Sequence, residues 1–194
     1  MDAPTLFRTI YADPPWPERG GGKSKRGADR HYPLMTVKQI RALPVQSLAN
    51  PTGCHLWLWA TGNYLGDAVD CVRSWGFRLI NCRPWVKAQR LSEDIAVVPQ
   101  APGLGQYLRC DAEFLLFGVM GATMIPSFKP SQTLYEPRGR HSAKPQRARQ
   151  QIELMSPAPR VELFAREPSI GWERWGNEVE CTVDLSAART NDGR

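Results

Sequence analysis

The chain has 194 residues, room for one domain with one sizeable core but not for a catalytic domain beside a recognition domain of similar size. A formal charge of +6 favours an anionic partner, and 23% charged residues is ordinary, which excludes wholesale disorder. Five scattered cysteines without a C-x-x-C pair argue against a zinc ribbon, any other metal site or a disulfide framework, and no apolar run reaches the ~18 residues of a membrane span. With no signal-peptide core at the N-terminus, the expectation is a cytoplasmic protein with no membrane partner.

In chain order, Leu6–Ala12 (LFRTIYA) reads as a buried strand that stops at Asp13-Pro14-Pro15-Trp16. From Pro17 to Arg30, glycines interleave with Arg19, Lys23, Lys25, Arg26 and Arg30 in a basic loop. Thr36 is placed to N-cap a short helix through Ile40 and Leu43 that Pro44 ends. His55–Ala60 (HLWLWA) is a strand; Leu65, Ala68, Val69, Val72 and Trp75 follow at helical spacing, with Gly76 just beyond. Phe77–Lys87 is another strand, with Pro84 a candidate interruption, and the poorly periodic stretch Ala88–Leu108 reads as a long loop. Ala112–Val119 resumes strand character, residues 126–144 are loop-like and basic, and a helix follows from about Pro145 through Ile152, Leu154 and Met155. Val161–Ala165 (VELFA) is the last expected strand; beyond Val179 the chain turns polar, giving one domain over residues 1–180 and a fraying tail over 181–194. Strands alternating with helices predict a doubly wound α/β sheet, with its ligand at the carboxyl ends of the strands.

The sharpest chemical signal is Asp13-Pro14-Pro15-Trp16 at such a strand end. Two prolines fix φ and donate no backbone hydrogen, so a carboxylate and carbonyls form a cluster of acceptors suited to a planar amine with two hydrogens. The Trp16 indole offers a face on which an aromatic base can stack. The bland reading is an Asp-Pro turn with a buried tryptophan; the position between an apolar strand and a basic glycine-rich loop favours the amine holder. Acceptors that draw an adenine N6 toward sp3 geometry localise its lone pair. It then attacks an activated methyl in line, with positioning and electrostatics as the main catalytic effects.

Six segments carry a family resemblance in order: DPPW at 13–16, RHYPLM at 30–35, LWLWAT at 56–61 with WGF at 75–77, RCDAEFLLFGVMG at 109–121, HSAKP at 141–145, and VELFAR at 161–166 with GWERWGNE at 171–178. The chain resembles the MT-A70 family of S-adenosylmethionine-dependent N6-adenine methyltransferases. The resemblance implies a Rossmann-like α/β fold with a mixed, mostly parallel sheet, helices on both faces and a permuted motif order. It implies that Asp13 and the Pro14 carbonyl hold the target amine, beside Pro15, with Trp16 lining the base pocket. Asp13, Lys144, Phe164, Arg166, Asn177 and Glu178 are the implied S-adenosylmethionine contacts. Eukaryotic catalytic members carry His-Asn where this chain has Pro168 and Ser169, and Gln where it has Glu178. The segment that contacts the cofactor adenine in them has no counterpart in the twelve residues before Asp13.

Two basic runs bracket the candidate site. Lys23, Lys25, Arg26, Arg30, His31 and Tyr32 in the first, with Arg138, Arg140 and His141 in the second, which continues without an acid through Lys144 and Arg147 to Arg149, are the candidate nucleic-acid contacts. A single basic run is more often a solvated face; two around one site favour phosphate binding. Trp57, Trp59 and Trp75 read as core, and Cys82 and Cys110 have no motif that supports a nucleophile. The compact chain resembles bacterial and phage members, so DNA is the expected substrate. RNA is the nearest alternative, and a non-catalytic nucleic-acid-binding subunit is the alternative of another class. Methylation of a cytosine or glutamine amine is disfavoured, because families with that chemistry begin the motif with Ser or Asn and end it with Tyr or Phe. Sequence choice then falls to the loops at 17–31 and 88–108, or to a partner in a homo- or hetero-oligomer.

Overall fold

Alternation along extended strands sends successive side chains to opposite faces, and here both faces are apolar. The computed structural model describes residues 5–17, 34–92, 95–99, 107–122, 125–139 and 143–185. Its strands are β1 (Thr9–Ala12), β2 (Gly53–Thr61), β3 (Arg78–Ser92), β4 (Ile95–Pro99), β5 (Ala112–Gly121), β6 (Leu134–Glu136), β7 (Arg160–Leu163) and β8 (Glu173–Trp175). They form one mixed sheet in the order β4-β3-β5-β2-β1-β7-β8, with β6 on the outer edge of β3. The pairings β1–β2, β1–β7, β7–β8 and β3–β6 are parallel; β2–β5, β3–β5 and β3–β4 are antiparallel.

Ile10, Leu56, Leu58, Leu116 and Val161 point to one face, where α1 (Val37–Arg41) and α2 (Leu65–Ser74) cover them with Ile40, Ala68 and Val72. Tyr11, Trp57, Trp59, Trp85 and Leu115 point to the other, covered by Ala148 and Ile152 of α3 (Gln146–Met155). Helices therefore lie on both faces of a mixed sheet, the Rossmann-like arrangement expected. Thr36 caps α1 in a reciprocal box with Gln39, and α2 ends on Gly76, whose φ of +80° suits glycine. The Gly76 and Phe77 amides bond back to the Arg73 and Val72 carbonyls, closing that helix end.

Three expectations are corrected. Residues 88–108 are not simply a loop: β3 runs through Pro84 to Ser92 and pairs antiparallel with β4. Pro84 stands opposite Phe114 of β5, below the first β6 rung at Trp85, so only one edge of β3 is paired there, where a sheet tolerates proline. Val161–Ala165 is not the final strand, because β8 adds beside β7. Residues 180–185 return to the core: the Thr182 amide donates to the Arg174 carbonyl, and Leu185 is 4% exposed. Val183 and Leu185 pack against the α1–α2 face despite polar neighbours.

Candidate active site

Asp13 is the first residue past β1, and β1 lies between β2 and β7. The parallel half of the sheet departs from β1 in opposite directions, which is where an open α/β sheet leaves a crevice at its carboxyl edge. Trp85 faces α3, and Glu113, opposite it in the β3–β5 register, shares that face. Lys144, just ahead of α3, crosses this edge, its ammonium 5.7 Å from the centre of the Trp59 ring.

The result is a chain of alternating charges. Lys144 Nζ lies 2.9 Å from Asp13 Oδ1 and 3.2 Å from Glu113 Oε2. Lys87 Nζ lies 2.7 Å from Glu113 Oε1, and Arg166 Nη2 is 3.7 Å from Asp13 Oδ2. Burial pushes the Asp13 carboxyl above its ordinary range; Lys144 pulls it back and Glu113 adds to the rise. Burial also opposes the charge on Lys144, but Asp13 and Glu113 overcome it and hold the ammonium above the ordinary lysine range. Glu113, likewise penalised by burial, is held below the usual carboxylate range by Lys144 and Lys87. Lys144 is thus a fixed cation rather than a base.

Two depressions meet at Asp13. The larger, about 600 Å³, is walled by Tyr11, Lys144, Arg149 and Glu162, and the smaller, about 40 Å³, by Pro15, Met35, Asn177 and Glu178. Asp13, Phe164 and Arg166 wall both. Phe164 holds a φ of +64°, a conformation a bulky residue keeps only when its surroundings impose it, and its ring meets Trp175 edge-on at 5.3 Å. A Cβ at Gly176 would lie 2.1 Å from the Ala165 carbonyl oxygen, so glycine is what lets the chain pass and deliver Asn177 to the cleft. In the larger cavity the Arg149 guanidinium sits 5.0 Å from the Tyr11 ring centre and 5.1 Å from that of Trp172. It pairs with Glu162 at 2.7 Å, while its Nη1 is buried without a partner among the described residues. Burial, reinforced by Asp13, pushes the Tyr11 phenol far up, so it stays neutral and accepts the Trp59 indole N–H at 2.7 Å.

The motif turn differs in detail from its expected form. The Trp16 amide folds back onto the Pro14 carbonyl at 2.8 Å, and the Met35 amide donates to Pro15 at 3.1 Å, so neither carbonyl is without a backbone donor. Trp16 is 9% exposed, stacked on Tyr64 with centroids 5.4 Å apart, and its indole N–H donates to the Trp59 carbonyl at 3.0 Å. Its ring is packed into the core and is no open platform for a base.

The MT-A70 family profile matches residues 7–178, from the approach to β1 to the cleft at Glu178. The chain belongs to the MT-A70 family. A type II methyltransferase, M.MunI, of a Mycoplasma species is 29% identical over 89% of this chain and 78% of its own length. A putative MT-A70-like N(6)-adenosine-methyltransferase of Medicago truncatula is 28% identical over 92% of this chain, and the catalytic subunit METTL3 of Homo sapiens 27% over 90%. The chain spans only 27% and 28% of those two relatives. MT-A70 proteins are S-adenosylmethionine-dependent N6-adenine methyltransferases, and the site suits that donor. The larger cavity falls in the ~300–1,000 Å³ range of small-molecule sites, and its wall carries both cations (Lys144, Arg149, Arg166) and carboxylates (Asp13, Glu162, Glu167), which suits a zwitterionic donor.

Of the implied MT-A70 cofactor contacts, Asp13, Lys144, Phe164 and Arg166 wall the larger cavity, and Asn177 and Glu178 the cleft that adjoins it. The second basic run is largely committed to internal partners. Arg147 pairs with Glu136, Arg149 with Glu162 and Lys144 with Asp13 and Glu113, while Arg138 donates to the Cys110 carbonyl. Lys23, Lys25, Arg26, Arg30, His31, Tyr32, Arg140 and His141 lie outside the described residues. Sequence reasoning missed Glu113, Lys87 and Glu162, and it read Arg149 as a phosphate contact where the structure pairs it with Glu162 in the larger cavity; the signal for Glu113 was a lone acid at the start of an apolar strand. No helix among the described residues is long and apolar enough to cross a membrane.

Proposed function

We propose that this chain transfers a methyl group to the N6 amine of adenine in DNA. The observation that carries the reading is the Asp13 carboxylate at the carboxyl end of β1, walling two adjoining depressions and held by Lys144. Lys144 occupies Oδ1, and Oδ2 lies beyond hydrogen-bond reach of Arg166, so the carboxylate keeps acceptor capacity for an amine hydrogen. The Pro14 carbonyl, with one lone pair taken by the Trp16 amide, is the second acceptor. Drawing on both N6 hydrogens, the two acceptors localise the lone pair. The alkylated amine is acidic enough that no strong base is required. S-adenosylmethionine, when bound, supplies a methyl already activated on a sulfonium sulfur. Lys144, Phe164, Arg166, Asn177 and Glu178 are the residues that would hold it.

The likeness to M.MunI over most of both chains supports DNA over RNA. In a duplex the adenine must leave the stack, at a cost of about a few kcal/mol. The basic loop with Lys23, Lys25 and Arg26 is the proposed phosphate contact. Nucleoside mass spectrometry after incubating DNA and RNA oligonucleotides with the protein and labelled donor tests this. Labelled N6-methyladenine in DNA is expected, and label confined to RNA overturns the substrate. No label in either, with no donor binding by calorimetry, leaves a non-catalytic subunit.

A further inference from the structure

Across α3 from Asp13 lies a second cavity of about 690 Å³, walled by Arg83 of β3, by Phe128 and Tyr135, and by Arg147 and Gln151 of α3. Arg83 is 7% exposed, and its Nε–H donates to the Gln132 carbonyl at 3.2 Å. Among the described residues no carboxylate pairs with its guanidinium; the one acid on the cavity wall, Glu136, is taken by Arg147 at 3.0 Å. Burial and the neighbouring Arg147 both act against the Arg83 charge. A buried cation normally has a counter-charge, because taking a charge out of water without one is strongly unfavourable. Phe128 and Tyr135 are 37% and 50% exposed, so ring surface stands open beside this unmatched cation.

Resting on the reading of this chain as a DNA methyltransferase, we infer that this cavity binds a backbone phosphate of the substrate strand beside the target adenine, with Arg83 as its ligand. A phosphate supplies the missing negative charge, and its attached base finds the Phe128 and Tyr135 rings within the same cavity. Gln146 walls the first cavity and Arg147 the second, so the two lie on opposite flanks of one helix turn. A helix with its side chains is about 10–12 Å across, which makes the bound phosphate a near neighbour of the target nucleotide. Holding it fixes the register of the strand and hence which adenine reaches Asp13.

The test is a scan of a DNA oligonucleotide substrate in which one phosphate at a time is replaced by neutral methylphosphonate, read as dissociation constant and kcat/KM. With wild-type protein, one flanking position is expected to lower affinity about tenfold, and Arg83→Met to abolish sensitivity at that position. R83M should also reduce the slope of log affinity against log salt by about 0.7–0.9, one phosphate contact, with S-adenosylmethionine affinity unchanged. R83Q replaces R83M if thermal melting shows that the latter is unfolded, and the wild-type scan needs neither. A flat wild-type scan outside the target nucleotide overturns the inference. So does a folded Arg83 variant with unaltered salt slope and position sensitivity, while methylation by wild type leaves the functional reading intact. Wild-type protein that neither binds nor methylates the oligonucleotide overturns that reading together with this one.

Discussion

The two cavities share α3 as a wall but treat charge in opposite ways. Around Asp13, cations and carboxylates alternate from Lys87 through Glu113 and Lys144 to Asp13, so the side chains hold one another in place. Around Arg83 the one acid that the described residues place on the cavity wall, Glu136, is taken by Arg147, which leaves Arg83 with no carboxylate of its own. The difference teaches that internal pairing orients reacting groups, whereas an unmet charge invites a ligand to complete it.

The largest effect that can break this contrast is at Asp13. Asp13→Ala should lower single-turnover methylation by about 10³-fold while the thermal transition stays cooperative. Near-wild-type rates would remove the amine holder from the account. Next is Glu113→Gln, which weakens the brace on Lys144. It should lower kcat/KM by about 10-fold and stability by about 2 kcal/mol, measured by steady-state kinetics and chemical denaturation. Because the Glu113 pKa is held below its usual 4.5, its stabilisation is present above pH 4.5 and disappears as pH falls through the lower folded value. E113Q should therefore flatten the acid side of the melting-temperature profile. Asp13, raised above its usual 3.8, must be ionised to accept from an amine, so the acid limb of kcat/KM should inflect above pH 3.8.

Smaller still is Trp16→Phe. Losing the indole N–H leaves the Trp59 carbonyl without that donor and should cost about 1–2 kcal/mol, with KM for nucleic acid unchanged. A raised KM with unaltered stability would restore a stacking role. The smallest effect belongs to the exposed Arg41–Asp70 pair, far from either charge arrangement in the fold; Asp70→Asn should shift stability by less than about 1 kcal/mol and leave methylation alone.

Much of the sheet was legible because its signals are local. Thr36 at a cap, Gly76 past a helix and the apolar run ending at Asp13 each announce themselves within a few residues. The β3–β4 hairpin was not, since pairing beyond Lys87 depends on a partner strand rather than on periodicity. The site shows the same limit. Asp13 stood out by its neighbours in the chain, but the run from Arg138 to Arg149 looked like a phosphate-binding face only because Glu136, Glu162, Asp13 and Glu113 reach it from elsewhere. For Trp16, nothing in four letters reveals that Tyr64 and the Trp59 carbonyl already occupy its ring and its N–H.

That last attachment has a bearing on how such motifs are sorted. β1 meets β2 up to the Ala12–Leu58 rung, and the Trp16 indole then bolts the turn to the neighbouring backbone at Trp59. In this chain the fourth letter of the motif serves as a fastener. Dividing proteins into adenine and cytosine modifiers by that letter would classify them by how the turn is anchored, with the choice of base written in other side chains.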